Sequence, residues 1–141
     1  MPMTFKYRCT QCDLRFPTGW GGYLYVINDA GERLSCSHPQ EGRKIEEVLG
    51  RGASRQLVRT RTGFNSHCIC LDCMSQFDLD IGDAEKGESW RYFYGATTRR
   101  DERKCPDCKS THVKTVIELV GEPCPKCKLG QIEAKSTGVL C

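Results

Sequence analysis

Cys105-Pro-Asp-Cys108-Lys-Ser-Thr-His-Val, residues 105–113, and Cys124-Pro-Lys-Cys127-Lys-Leu-Gly-Gln-Ile, residues 124–132, decide how this 141-residue chain is read. Each stretch opens with two thiols three positions apart and runs on into residues with strand character. The proline after the first cysteine pre-sets a turn. Two thiolates presented from one tight turn supply half of a tetrahedral metal site with little backbone strain. Two further stretches repeat the pattern. Residues 7–16 read Tyr-Arg-Cys-Thr-Gln-Cys-Asp-Leu-Arg-Phe, and residues 68–77 read Cys-Ile-Cys-Leu-Asp-Cys-Met-Ser-Gln-Phe. In both, a phenylalanine (Phe16, Phe77) follows the second cysteine of the pair by four places.

Composition explains why such knuckles are needed. Apolar residues make up 38% of the chain and aromatic residues 9%. A short, polar chain buries a thin core, so something besides hydrophobic burial has to hold the fold. Eleven cysteines are the obvious means. Their number is odd and eight fall into Cys-x-x-Cys pairs, which suits chelation better than disulfide bridging. The opening residues contain no apolar stretch of a secretory signal. No run approaches the roughly 18 apolar residues that span a membrane. The expected compartment is therefore reducing and cytoplasmic, with thiols free to take zinc. Binding of about 10–16 kcal/mol per structural zinc exceeds the ~5–15 kcal/mol net stability of an ordinary domain, so metal binding should largely be the folding.

Spacing suggests a pairing. Fifteen residues separate Cys108 from Cys124, within the range of a four-cysteine zinc site. Cys105, Cys108, Cys124 and Cys127 are expected to share one ion. Cys9, Cys12, Cys70 and Cys73 would then share a second, with residues 13–69 as a long insertion, which the logarithmic growth of loop-closure cost permits. The two-knuckle pattern resembles the zinc-ribbon superfamily, well over residues 105–134 and more loosely over 7–16 and 68–80. The usual knuckle of that superfamily places glycine after its second cysteine; here Asp13, Met74, Lys109 and Lys128 stand there. The resemblance implies a fold and a metal rather than a task.

The expected fold is small, metal-stabilised and β-rich with minor helix: two zinc ribbons, the first split by the insertion. Residues 1–81 form the N-terminal ribbon, 82–104 an acidic loop, aromatic strand and basic linker, and 105–141 the C-terminal ribbon. Within the insertion, Tyr23–Ile27 reads as a strand, 28–31 as a turn, Arg33 as the start of a return strand, and Glu41–Leu49 as a helix ended by Gly50 and Gly52. Ala53–Thr60 suggests a further helical turn or two. Residues 113–120 and 131–134 read as short β segments, and Trp90–Tyr94 as an aromatic strand.

Three cysteines lie outside the knuckles: Cys36, Cys68 and Cys141. In an alternative ligand set, Cys36 and His38 complete a site with Cys9 and Cys12, leaving Cys70 and Cys73 to His67 or Cys68. Otherwise Cys36 and Cys68 are ordinary half-buried thiols. Catalysis finds little support. Closed tetrathiolate sites have no position for water, no His-Glu-x-x-His is present, and Ser37-His38-Pro-Gln-Glu41 has the wrong spacing for a deaminase. A thioredoxin-like thiol chemistry would use one Cys-x-x-Cys opening a helix, not four. The expected role is thus non-catalytic: an adaptor acting through protein–protein contacts or, alternatively, an accessory factor binding single-stranded nucleic acid. No small-molecule substrate is indicated.

The net charge of +3 is a weak guide to the partner. Residues 51–61 hold four arginines and no acid, whereas 71–98 carry six acids against two bases. Arg51, Arg55 and Arg59 recur every fourth residue, so one continuous helix would align them; Arg61 is nearby. Arg99, Arg100, Arg103 and Lys104 follow Trp90, Tyr92 and Tyr94. Arginine beside exposed aromatics suits phosphate pairing and base stacking.

Overall fold

The computed structural model describes residues 3–81 and 99–140. The expected aromatic strand with Trp90, Tyr92 and Tyr94, the polar loop 82–89, the first part of the linker and Cys141 lie outside the described residues. The elements are β1 (Met3–Cys9), β2 (Arg15–Gly19), β3 (Gly22–Ile27), β4 (Arg33–Ser35), α1 (Glu41–Leu49), α2 (Arg55–Arg61), β5 (Thr62–Cys70), β6 (Gln76–Leu79), β7 (Val113–Thr115), α3 (Val116–Leu119) and β8 (Ile132–Leu140). The chain is β-rich, and no helix among the described residues is long and apolar enough to cross a membrane.

These elements sort into two units by contact rather than by sequence order. The first comprises residues 1–22, 66–79 and 103–141; the second comprises 23–65 and 80–102. The expected boundaries at 81 and 105, one ribbon on each side, are therefore not those of the structure. All four knuckles belong to the first unit. The second unit takes most of the expected insertion, but β2 and the end of β5 belong with the knuckles.

In the first unit β1 lies between β2 and β8, antiparallel to both. The end of β5 pairs antiparallel with β6 and with β7. Tyr7, Leu14, Phe16, Ile69, Val116, Leu119 and Ile132 pack together with Cys9 and Cys124. Phe16 is buried and Phe77 half-buried. The expected β segment 113–120 is a strand only to Thr115. Thr115 Oγ1 accepts from Glu118 N while Glu118 Oε1 accepts from Thr115 N. This reciprocal capping box starts a helical turn instead. Gly21 (φ 86°) sits where a Cβ would come within 2.6 Å of Ile117, so only glycine lets β3 begin there.

The second unit is built on β3, β4 and the start of β5, with α1 and α2. Ile45, Val48 and Leu49 recur at helical spacing on α1 and pack with Leu24, Val26, Cys36 and Phe64. Ser54 caps α2 by accepting from Leu57 N at 3.0 Å. A polar network stands beside this core. Tyr25 and Asp80 are fully buried, and the Tyr25 hydroxyl donates to Asp80 Oδ2. Arg100 donates to the Tyr25 hydroxyl and to the carbonyls of Thr62 and Thr60, each at 2.7 Å. Arg33 grips Asp101 with two bonds of 2.8 Å. A Cβ on Gly63 would fall 2.3 Å from the Tyr25 hydroxyl, so the network depends on that glycine.

Candidate metal centres

Each knuckle closes on itself in the same way. Cys9 N donates to Leu14 O, Cys70 N to Ser75 O and Cys105 N to Ser110 O, at 2.8–2.9 Å. Cys124 N reaches one residue further, to Gly130 O at 2.8 Å. Backbone amides point at the first sulfur of each turn: Gln11 and Cys12 at Cys9, Cys73 at Cys70, Cys108 at Cys105, Lys126 and Cys127 at Cys124. Residues after the second cysteine adopt left-handed backbone in three of the four turns, at Met74 (φ 62°), Lys109 (φ 66°) and Lys128 (φ 63°). The turn keeps the geometry that glycine would give most easily, although glycine is absent.

The knuckles combine in an order that spacing does not suggest. Cys9, Cys12, Cys124 and Cys127 form one group, and Cys70, Cys73, Cys105 and Cys108 the other. Within each group all four sulfurs lie within 4.8 Å of one another. The first knuckle joins the fourth and the second joins the third. This corrects the expected sets Cys105/Cys108/Cys124/Cys127 and Cys9/Cys12/Cys70/Cys73.

Strand pairing is the cause. The first knuckle ends β1, the fourth precedes β8, and these strands pair with Cys9 opposite Ile132. The second knuckle ends β5, the third precedes β7, and these pair with Cys70 opposite Val113. Thr10 N donates to Gln131 O at 3.0 Å, and Leu71 N donates to His112 O at 2.8 Å. The two centres are thus built alike, down to equivalent positions. In each, the residue eight places after the first cysteine of the later knuckle lies opposite the first cysteine of the earlier one. An antiparallel ladder puts the end of one strand beside the beginning of the next, and the two turns face each other there.

Sulfur–sulfur distances are 3.6 Å for Cys9–Cys127 and for Cys12–Cys124. They are 3.5 Å for Cys70–Cys108 and 3.6 Å for Cys73–Cys105. A disulfide needs about 2.05 Å, and the cysteines of both groups are free thiols. A tetrahedron with metal–sulfur bonds of about 2.3 Å has edges of about 3.8 Å. Each group has the spacing to hold a metal ion.

The thiols of each group titrate far apart. In the first, burial opposes ionisation of Cys9, but amide hydrogen bonds from Gln11 and Cys12 outweigh it and hold the thiol below its ordinary value. Amides of Gly130 and Leu129 bring Cys127 down to about 6. Cys12 receives an amide from Leu14, yet burial and its three sulfur neighbours push it up to about 12. In the second group Ser75, through its hydroxyl and its amide, brings Cys73 down to about 6. Cys108 receives the Ser110 amide, but Cys70, burial and the remaining sulfurs push it up to about 12. Four thiolates at this separation repel, and a cation among them removes the conflict.

The remaining candidate ligands stand elsewhere. Cys36 belongs to the core of the second unit, where burial and then Glu41 push it up to about 11. His38 Nδ1 meets Glu41 Oε2 at 2.5 Å. His67 Nδ1 meets Asp78 Oδ1 at 2.7 Å, and the fully buried Cys68 lies 3.3 Å from Ser66 O. None of Cys36, His38, His67 and Cys68 joins a four-sulfur group.

The expected phosphate-binding arginines are also redistributed. Arg51 lies in a turn before α2, so it shares no helix with Arg55 and Arg59, which are exposed on α2. Gly50 and Gly52 break the pattern, and Ser54 restarts it. Arg61 donates to Ile27 O at 2.9 Å and to Asp29 at 3.1 Å. Arg103 donates to Val113 O at 3.0 Å and to Glu118 at 2.6 Å. With Arg100 in the Tyr25 network, three of the group serve the fold; Arg99 and Lys104 are exposed.

Compared with protein-family models, with curated proteins and with solved structures, the chain matches none.

Proposed function

We propose that this protein is a zinc-stabilised, non-catalytic binding module, with one zinc ion at Cys9/Cys12/Cys124/Cys127 and one at Cys70/Cys73/Cys105/Cys108, arranged in the manner of a zinc ribbon. The observation that carries the reading is the spacing of the sulfurs: in each group all four lie within 4.8 Å of one another, with two contacts of 3.5–3.6 Å. Four soft ligands in a tetrahedron select zinc or iron–sulfur chemistry. Four protein ligands fill the coordination sphere and leave no place for a substrate or an activated water, which argues for a structural rather than a catalytic ion. Amide hydrogen bonds to the sulfurs spread the excess negative charge of such a centre.

What the ions organise is surface. The reading that fits is an adaptor, a small scaffold that presents residues to a macromolecular partner. Internal use of Arg61, Arg100 and Arg103 weakens the particular nucleic-acid surface expected from sequence. Elemental analysis of protein purified without chelator tests the metal reading. About two zinc ions per chain are expected, with loss of fold on chelation. Iron in their place would overturn the choice of metal, and intact disulfides with no metal would overturn the reading.

A further inference from the structure

The outer face of the β2–β1–β8 sheet is fixed by its register. Side chains alternate between faces along a strand. On β1, Tyr7 and Cys9 are buried while Lys6 and Arg8 are exposed. Lys6 lies directly opposite Lys135, and Arg8 opposite Glu133. On its other side Arg8 lies opposite Arg15. Contacts show that these side chains share one face. Arg8 Nε donates to Glu133 Oε1 at 3.1 Å, and the hydroxyls of Thr4 and Thr137 meet at 2.6 Å. Arg8, Arg15 and Glu133 also line one open cleft of about 640 Å³, together with Cys9, Cys12 and Asp13, whose carboxylate is paired with Lys126.

The face therefore carries four cations, Lys6, Arg8, Arg15 and Lys135, and one anion, Glu133. Twice, like charges stand directly opposite each other, an arrangement that destabilises a sheet. Folding gives no reason for it, and an external anion would supply one. We infer that this face binds the phosphate backbone of nucleic acid, an inference that rests on reading the first unit as a metal-held binding module. Protein interfaces have an apolar, often aromatic centre and are poor in lysine. This face has the opposite composition. Of the large apolar side chains exposed among the described residues, only Val139 belongs to these strands. With no exposed aromatic on it, the face grips phosphates without stacking bases, so duplex and single strands bind alike and sequence matters little.

The test uses the full-length, metal-loaded chain and a fluorescently labelled mixed-sequence DNA duplex, with anisotropy followed across a salt series. Three to four phosphate contacts give a slope of log affinity against log salt of about −3 to −4. Lys6→Glu with Lys135→Glu should shallow that slope by about 2 and weaken binding about tenfold or more at low salt. Glu133→Gln should tighten binding. Arg55→Glu with Arg59→Glu, in the other unit, should leave the slope unchanged. The metal content of every variant is measured alongside. A slope that the Lys6/Lys135 change leaves intact, at full metal content, overturns the inference while sparing the metal reading. Polyglutamate binding as tightly as DNA overturns it in favour of an acidic protein partner. Loss of metal from the wild-type preparation would sink the reading on which the inference rests.

Discussion

The two four-sulfur centres use the same ladder and the same offsets, yet they differ in how they are closed and how they meet solvent. Between Cys12 and Cys124 lie 111 residues; between Cys73 and Cys105 lie 31. On a logarithmic scale of loop closure the longer span costs about 1 kcal/mol more, a small difference beside the energy of a zinc site. Exposure differs more. Cys73 and Cys108 are exposed, whereas Cys12 and Cys127 are half-buried. Near-identical local chemistry thus serves one centre that is less exposed and far-reaching and another that is local and open. Sequence separation between knuckles does not set which of them come together; strand pairing does.

The largest expected effect breaks the pairing itself. Cys9→Ser and Cys124→Ser should each remove one metal per chain, and together they should still remove only one. Cys9→Ser combined with Cys105→Ser should remove both, with loss of the first unit's fold. Metal stoichiometry by mass spectrometry under native conditions reads this directly. Loss of both metals from the Cys9/Cys124 pair would restore the grouping expected from spacing.

Next comes a difference between the centres. A Cβ on Gly130 would lie 2.7 Å from Cys9 Sγ. The equivalent position of the other centre is Thr111, which already bears a side chain. Gly130→Ala should lower metal affinity at the first centre about 10- to 100-fold, and Thr111→Ala should leave the second nearly unchanged. Chelator competition on each variant distinguishes the two.

Acid should loosen both centres. Without metal, Cys12 and Cys108 sit at about 12 and keep their protons at neutral pH, so binding must displace them. Cys73 and Cys127 at about 6 have already lost theirs. Metal retention therefore declines as pH falls from the alkaline side, more steeply below about 6, where Cys73 and Cys127 also take up protons. Chelator-free metal retention across that range should follow this course; affinity that rises on acidification would contradict it.

The smallest effects concern the turns. Left-handed backbone costs a residue other than glycine about 1–2 kcal/mol. Met74→Gly, Lys109→Gly and Lys128→Gly should each raise stability by about 1 kcal/mol. Asp13 has no such backbone, and Asp13→Gly only removes its ion pair with Lys126. Thermal unfolding of the four variants should separate three from one.

Much of the local structure was legible. Helix α1 occupies the expected 41–49, because an amphipathic pattern between Pro39 and Gly50 leaves little choice. The strand at 23–27 follows from its β-branched and aromatic residues. The pairing of knuckles was legible too, by a different signal. Cys9 and Cys70 head turns followed by Phe16 and Phe77. Cys105 and Cys124 head turns with proline inside and Val113 or Ile132 eight places on. Each centre takes one turn of each kind, a strand-ending turn and a strand-preceding one. Grouping by proximity joined like with like. The capping box of Thr115 and Glu118 could likewise have been read. The tasks of Arg61, Arg100 and Arg103 could not, since their partners are backbone carbonyls and side chains brought near only by the fold.

The nesting of one centre inside the other also orders events in time. A ribosome adds about 5–20 residues per second. Cys108 completes the inner centre while the outer one still lacks Cys124 and Cys127. For the few seconds between synthesis of Cys73 and of Cys105, the pair Cys9/Cys12 has no partner except Cys70/Cys73, the wrong one. Early capture of an ion by Cys70/Cys73 with Cys105/Cys108 removes that competitor. On the proposed metal reading, a nascent chain halted between residues 108 and 124 would hold one zinc and two waiting knuckle thiols, and the inner ion would act as a checkpoint for the outer.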